Sequence, residues 1–130
     1  MFRVFDIEEN KFITAPFFFG GLGEILIDTG KELADPADYD RFIIEHFFGW
    51  HDKNQNKVFP GDIIKVCDYY MEPTFHAVEW GGKDYPAYSL NPDIGNESNC
   101  FSHIAANGDI FIEVIGNIHE NPELIPTNKR

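Results

Sequence analysis

Apolar residues recur along this chain with a period of two in several short runs, and with a helical period in one. Phe2 and Val4 fall on one face of residues 2–6 and Arg3 and Phe5 on the other, the alternation of a strand. A polar turn, Glu8 to Lys11, precedes Phe12 and Ile13, which predicts a hairpin ending at Pro16. Phe17-Phe18-Phe19 and Glu24 to Asp28 read as two further short strands around Gly20, Gly21 and Gly23. Thr29 to Asp35 is a polar loop. Tyr39, Phe42, Ile43 and Phe47 then repeat at three- and four-residue spacing. Asp35 is a suitable N-cap, Pro36 suits the first helical position, and Asp38 complements the helix dipole. The spacing predicts a helix over 36–47. Beyond it the period returns to two: Asp62 to Val66, Phe75 to Trp80, Tyr85 to Leu90 and Asp109 to Ile115 read as strands. Gly81-Gly82-Lys83-Asp84 and Asn107-Gly108 are hairpin signals by composition. Phe101 to Ala106 fits either a short helix or a strand, and Glu120 to Ile125 a short terminal turn. Pro126 onwards is polar and reads as frayed. The fold class is mainly β, a β-rich α+β chain built on an antiparallel meander.

The stretch from Gly49 to Val66 is the most patterned. Asp52 to Lys57 is polar with two asparagines, a tight surface turn. Val58 and Phe59 are apolar, Pro60-Gly61 breaks the run, and Asp62-Ile63-Ile64-Lys65-Val66 is rich in β-branched residues. Asp62 reads as a carboxylate accepting bonds from turn amides rather than as a catalytic group.

This stretch resembles the YopX family of small phage and prophage proteins, whose pattern is approximately Gly-Leu-x-Asp-Lys-Asn-Gly-x-x-Ile-x-x-Gly-Asp-Ile-Val. Gly49, Asp52, Lys53, Asn54, Val58, Gly61, Asp62, Ile63 and Ile64 stand in register with it. Phe2 to Asp6 resembles the family's first strand, Val78-Glu79-Trp80 a later one, and Val114 to Leu124, with Gly116, Asn117, Asn121 and Pro122, its C-terminal signature. Two departures bear on structure. Trp50 replaces a usual Leu, and Gln55 stands where the family has Gly, which moves the left-handed residue of the turn to Asn54 or Asn56. Length and residue pattern give one domain over 1–130, with N-terminal strands over 1–28 and the helix over 36–47. That helix lies in the segment between Gly20 and His46 that matches the family poorly. The resemblance implies an SH3-like barrel element, here 49–125 with the C-terminal signature. It implies a phage or mobile-element origin and no particular reaction.

Composition narrows the function. The chain has 130 residues, 43% of them hydrophobic, with 13 Phe, enough for a packed core. No apolar run approaches the roughly 20 residues that span a bilayer. The N-terminus has no apolar signal region, so a cytoplasmic chain is expected, with Cys67 and Cys100 reduced. The net charge of −12 disfavours contact with phosphate backbones. The glycines at 20–23 lack the following helix and Lys of a phosphate loop. His46, His51, His76, His103 and His119 are scattered without metal-ligand spacing, and neither Cys67 nor Cys100 lies in a Cys-x-x-Cys pair. No catalytic, metal or cofactor constellation is read. Gly49, Asp52, Lys53, Asn54, Gly61, Asp62, Gly116, Asn117, Asn121 and Pro122 are expected to be structural.

Phe17, Phe18, Phe19, Tyr39, Phe42 and Ile43 supply a candidate interface between copies, set against plain core packing. The expectation is therefore a non-enzymatic accessory protein that self-associates and contacts a host or phage protein. One alternative is an acidic inhibitor or DNA mimic. The other is a hydrolase with a composite site, such as His51 with Asp52 and His76 with Glu79.

Overall fold

Two segments far apart in sequence, one ending the central turn and one near the C-terminus, meet as neighbouring strands. In a computed structural model, residues 2–14, 17–19, 25–27, 41–69, 71–81, 86–95 and 99–125 are described. The chain forms two compact units, residues 1–45 and 46–130.

In the first unit, β1 (Phe2–Asp6), β2 (Lys11–Phe12) and β5 (Phe42–His46) form a sheet in the order β2-β1-β5. The predicted hairpin is present: β1 and β2 run antiparallel with Phe5 opposite Phe12, their rings edge to face at 5.1 Å. β3 (Phe17–Phe19) pairs antiparallel with β4 (Ile25–Ile27).

β5 corrects the helix expected over 36–47, because Phe42 to His46 is a strand. The first half of that helix, with Tyr39, lies outside the described residues. So do the glycine-rich segment, the 29–35 loop, the 82–84 turn, the residues after 125 and the side chains of Phe17 to Phe19. The apolar spacing misleads because two ion pairs fix the pairing with β1. Arg3 Nε donates to Glu45 Oε1 at 2.6 Å, and Arg41 donates Nε and Nη2 to the two oxygens of Asp6, each at 2.8 Å. Glu45 and Asp6 are both buried, so each needs its guanidinium. Adjacent Ile43 and Ile44 also favour a strand over a helix. The Arg41 guanidinium, with the Glu8 and Glu9 amides, holds the Asp6 carboxyl below its ordinary pKa against the effect of burial. Phe42 and Ile43 are half-buried in this strand.

In the second unit, β6 (Asp62–Asp68), β7 (Thr74–Trp80), β8 (Tyr88–Asn91) and β9 (Ile110–Asn117) form an antiparallel sheet ordered β8-β7-β6-β9. The core lies on one face. Ile64 and Val66 of β6, Val78 of β7, Leu90 of β8, and Ile110 and Ile112 of β9 pack with Val58. The helix α1 (Phe101–Ala105) packs on β8 and β9 and adds Phe101 and Ile104. Each such side chain contributes about 1.5–3 kcal/mol by leaving water.

The mainly β class holds. Among the described residues, however, no ladder joins β8 to β9, so the expected barrel closure is not seen there. The outer sides of both strands are already engaged. Ser89 bridges Cys100, Asn99 Nδ2 donates to the Leu90 carbonyl at 2.8 Å, and the Lys53 amide donates to the Ile112 carbonyl at 2.9 Å. Asn107-Gly108 is not a hairpin tip. It turns α1 into β9, with the Asn107 side chain accepting from the Asp109 amide.

His76 sits on the core face of β7, 3% exposed. Its Nδ1 faces the Pro92 carbonyl, which can only accept, so Nδ1 donates and Nε2 accepts from the Thr74 hydroxyl at 2.7 Å. Burial depresses its pKa, against smaller opposing effects of the Pro92 carbonyl and Asp93. The unfolded chain therefore binds a proton that the folded imidazole resists. Stability contributed by the neutral ring is present above the ordinary value of about 6.5 and falls as pH drops through it. Chemical denaturation of wild type should show a loss of stability from pH 7.5 to 5.5 that His76→Gln lessens. Equal losses in the two proteins would refute this assignment.

Candidate functional site

The motif residues of the central stretch and the C-terminal signature come together in two clusters, both at β9. The first is built on Asp52. Its carboxylate is 4% exposed and takes four hydrogen bonds. Oδ1 accepts from the Asn54 and Asn56 amides at 2.9 and 2.8 Å; Oδ2 accepts from Asn56 Nδ2 at 3.2 Å and from the Val114 amide at 2.9 Å. The main chain repeats the closure, with the Asp52 amide donating to the Asn56 carbonyl at 2.8 Å. One side chain thus folds the 52–57 turn and holds it against β9. Burial raises the carboxyl pKa, but the Val114, Asn56 and Asn54 donors outweigh it and leave the group below its ordinary value. A carboxylate offers about four lone-pair positions, and four donors fill them. Lys53 Nζ lies 3.9 Å from Glu113 Oε1 in a largely exposed pair, which contributes little.

The left-handed position of the turn is not moved by the Gly-to-Gln departure. Gln55 itself adopts φ +69°, and neither Asn54 nor Asn56 does. Asp52 explains this: it binds the amides on both sides of Gln55, so the strained angle stays at residue 55. Gly49 at φ +103° opens the same segment.

The second cluster joins Gly61-Asp62 to Gly116-Asn117-Asn121. Asp62, 1% exposed, accepts the Phe59 amide at 2.8 Å and closes the Pro60-Gly61 turn. Gly61, at φ +93°, donates to the Val78 carbonyl and accepts from the Ile118 amide. Across the ladder Asp62 faces Asn117 and Ile63 faces Gly116, but Ile64 faces Val114, so Ile115 is the extra residue of a bulge. Asn117 Oδ1 accepts from the His119 and Glu120 amides at 3.0 and 2.9 Å, which turns the chain at the end of β9. Gly116 has no room for a side chain: a Cβ there would lie 2.6 Å from Asn121 Oδ1. Pro122 is exposed and starts a 3-10 turn, Pro122–Leu124.

Of the residues in the composite His/carboxylate pairs, Asp52 and His76 are held by bonds within the fold, Glu79 is exposed, and the His51 ring meets Phe47 edge-on at 5.3 Å. Asp52 is saturated, His76 is held by Thr74 and Pro92, and Glu79 accepts from Asn91 Nδ2 at 3.3 Å. Among the described residues, no group of three or more His, Cys, Asp or Glu could hold a metal ion.

A feature that the sequence reading missed lies beside α1. Phe48, Trp50, Trp80, Tyr88, Cys100 and Ser102 help to line an open groove of about 310 Å³. Phe48 stacks on Tyr88 at 4.0 Å, and Trp80 meets Tyr88 edge-on at 4.9 Å. The aromatic ends of β7 and β8 signal it, but only the sheet register, with Trp80 opposite Tyr88, brings them together.

Three outcomes follow for the clusters. Gln55→Gly should stabilise the chain by about 0.5–1 kcal/mol, the relief of the left-handed angle less the greater freedom of unfolded glycine; a lower melting temperature would contradict it. Gly116→Ala should cost about 1–3 kcal/mol, and combining it with Asn121→Ala should cost less than the sum of the two single changes. Asp52→Ala should cost about 2–3 kcal/mol near neutral pH. Because the folded pKa is depressed, the wild-type advantage should be full above pH ~4 and shrink as pH falls through the lower folded value. A gap that does not narrow in acid would rule out an ionised clamp.

Comparison with known proteins places these clusters in context. The model of the YopX protein family matches residues 1–126. Protein EF1440 from Enterococcus faecalis shares the fold at a TM-score of 0.61 and 24% identity, with 96% of each chain covered. Protein yopX from Bacillus subtilis does so at a TM-score of 0.64 and 15% identity, covering 96% of this chain and 97% of that one. No curated protein matches the chain. With both motif blocks in place and the match running over nearly its whole length, the chain belongs to the YopX family.

Proposed function

We propose that this chain is a non-enzymatic accessory protein of a phage, prophage or other mobile element, acting in the bacterial cytoplasm through protein–protein contact and self-association. The observation that carries this reading is a group of exposed apolar side chains at one end of the second sheet. Tyr69 is 78% exposed, Met71 67% and Phe111 50%. Tyr69 and Met71 follow β6 directly, and Phe111 pairs with Cys67 near the same end. Single exposed apolar residues are ordinary on soluble proteins, but several at one end of a sheet suit a contact surface. The net charge of −12 supports a second reading, docking on a basic partner in the manner of an acidic inhibitor or DNA mimic.

Light scattering across a salt series separates the two. Self-association through apolar contact should give a mass that is a multiple of 14.9 kDa, unchanged by salt and reduced to the monomer by Met71→Ser with Phe111→Ser. A monomer under every condition would overturn self-association and leave the acidic surface to be tested by capture of basic host proteins.

A further inference from the structure

We propose that Asn107 is a site of spontaneous covalent modification, in which its side-chain amide is lost and the main chain passes into an isoaspartyl linkage. The site depends neither on self-association nor on any partner. The chemistry needs an asparagine followed by a residue whose amide nitrogen can reach the side-chain carbon. Asn107-Gly108 is the one Asn-Gly pair of the sequence, and glycine has no side chain to obstruct that approach. Asn91 and Asn121 are followed by Pro92 and Pro122, which have no amide proton to give up. Asn99 and Asn117 are buried, and Asn54 and Asn56 precede Gln55 and Lys57, whose side chains crowd the attack.

The turn between α1 and β9 leaves the pair open to reaction. Asn107 and Gly108 are exposed, and a Cβ on Gly108 would meet nothing within 4 Å. Among the described residues, the Gly108 amide and Asn107 Nδ2 donate to nothing, so neither the attacking nor the leaving nitrogen is held. Asn107 Oδ1, by contrast, accepts from the Asp109 amide at 2.9 Å. That donor points at the oxygen on which negative charge develops when the side-chain carbonyl is attacked, and so favours the tetrahedral intermediate. Two main-chain bonds flank the site, from the Asn107 amide to the Ile104 carbonyl at 3.2 Å and from the Ile110 amide to the Asn107 carbonyl at 3.1 Å. Both lie at the long end of the usual range, so little opposes the rotation that attack requires.

In the reaction the Gly108 nitrogen bonds to Asn107 Cγ and gives its proton to water. The Cγ–Nδ2 bond breaks, and Nδ2 takes up a proton and leaves as ammonia. Water then opens the five-membered imide. Cleavage at Cγ gives aspartate; cleavage at the main-chain carbonyl gives isoaspartate, with the chain running through Cβ. Nothing is oxidised or reduced: water enters and ammonia leaves. The product carries a carboxylate in place of an amide. Its isoaspartyl form also lengthens the link between α1 and Ile110, the first residue of β9.

The test is incubation of the full folded chain at mildly alkaline pH, then proteolysis and mass spectrometry of the peptide that carries Asn107. Wild type should gain the mass of a carboxyl in place of an amide at Asn107, with isoaspartate in excess of aspartate and heavy oxygen taken up from labelled water. Gly108→Ala should slow the conversion several-fold with the fold unchanged by circular dichroism, because the added Cβ has room and Gly108 is not in the left-handed region. Conversion in urea but not in the folded chain would overturn the proposal. So would an unchanged rate in Gly108→Ala, or aspartate without isoaspartate, which marks direct hydrolysis of the side chain.

Discussion

The second unit depends on one buried negative charge. Asp52 and Val114 are 62 positions apart, and the bond from the Val114 amide to the Asp52 carboxylate ties a local turn to a distant strand. Hydrogen bonds to ionised groups are worth more than neutral ones, and a buried carboxylate left short of donors would be costly. The turn can therefore close fully only when β9 is in place. The same strand must also present Gly116 and Asn117 to Asp62 in the right register, and the bulge at Ile115 adjusts the ladder between the two clusters. Local turn formation and long-range strand pairing thus become one cooperative event.

Much of this was legible in the sequence, for physical reasons that differ by residue. The β-branched run from Asp62 to Val66 and the alternation in Phe2 to Asp6 read correctly because each strand carries its own period. Asp62 read correctly as a turn carboxylate because Pro60-Gly61 demands such a partner. Phe42 to His46 read wrongly as helix. Its apolar spacing suited either element, and the deciding ion pairs, Arg3 with Glu45 and Arg41 with Asp6, join residues more than 30 positions apart. Gln55 shows the same limit at short range. Propensity assigns the left-handed angle to an asparagine, but the two asparagines are held by Asp52 and the glutamine takes it. Asn107-Gly108 has the right chemistry for a turn, yet what precedes it is helical.

The motif residues and the groove have different physical standing. Asp52, Gly61, Asp62, Gly116 and Asn117 spend their polar groups or their lack of a side chain on closing the fold. The groove's rings differ among themselves: Phe48, Trp50 and Tyr88 pack against the core, whereas Trp80 is largely exposed.

The coverage of the sheet's two outer strands bears on how copies of this chain can meet. An uncovered outer strand is a template on which another chain adds its own strand, the route to domain swapping and fibrils. Here the 52–57 turn occupies β9, and Asn99 and Cys100 occupy β8. A second copy that tried to extend this sheet at β9 would first have to displace a buried, saturated carboxylate. Among the described residues, strand addition at these two edges is therefore opposed by local cover, and damage to the Asp52 turn would uncover part of the outer side of β9.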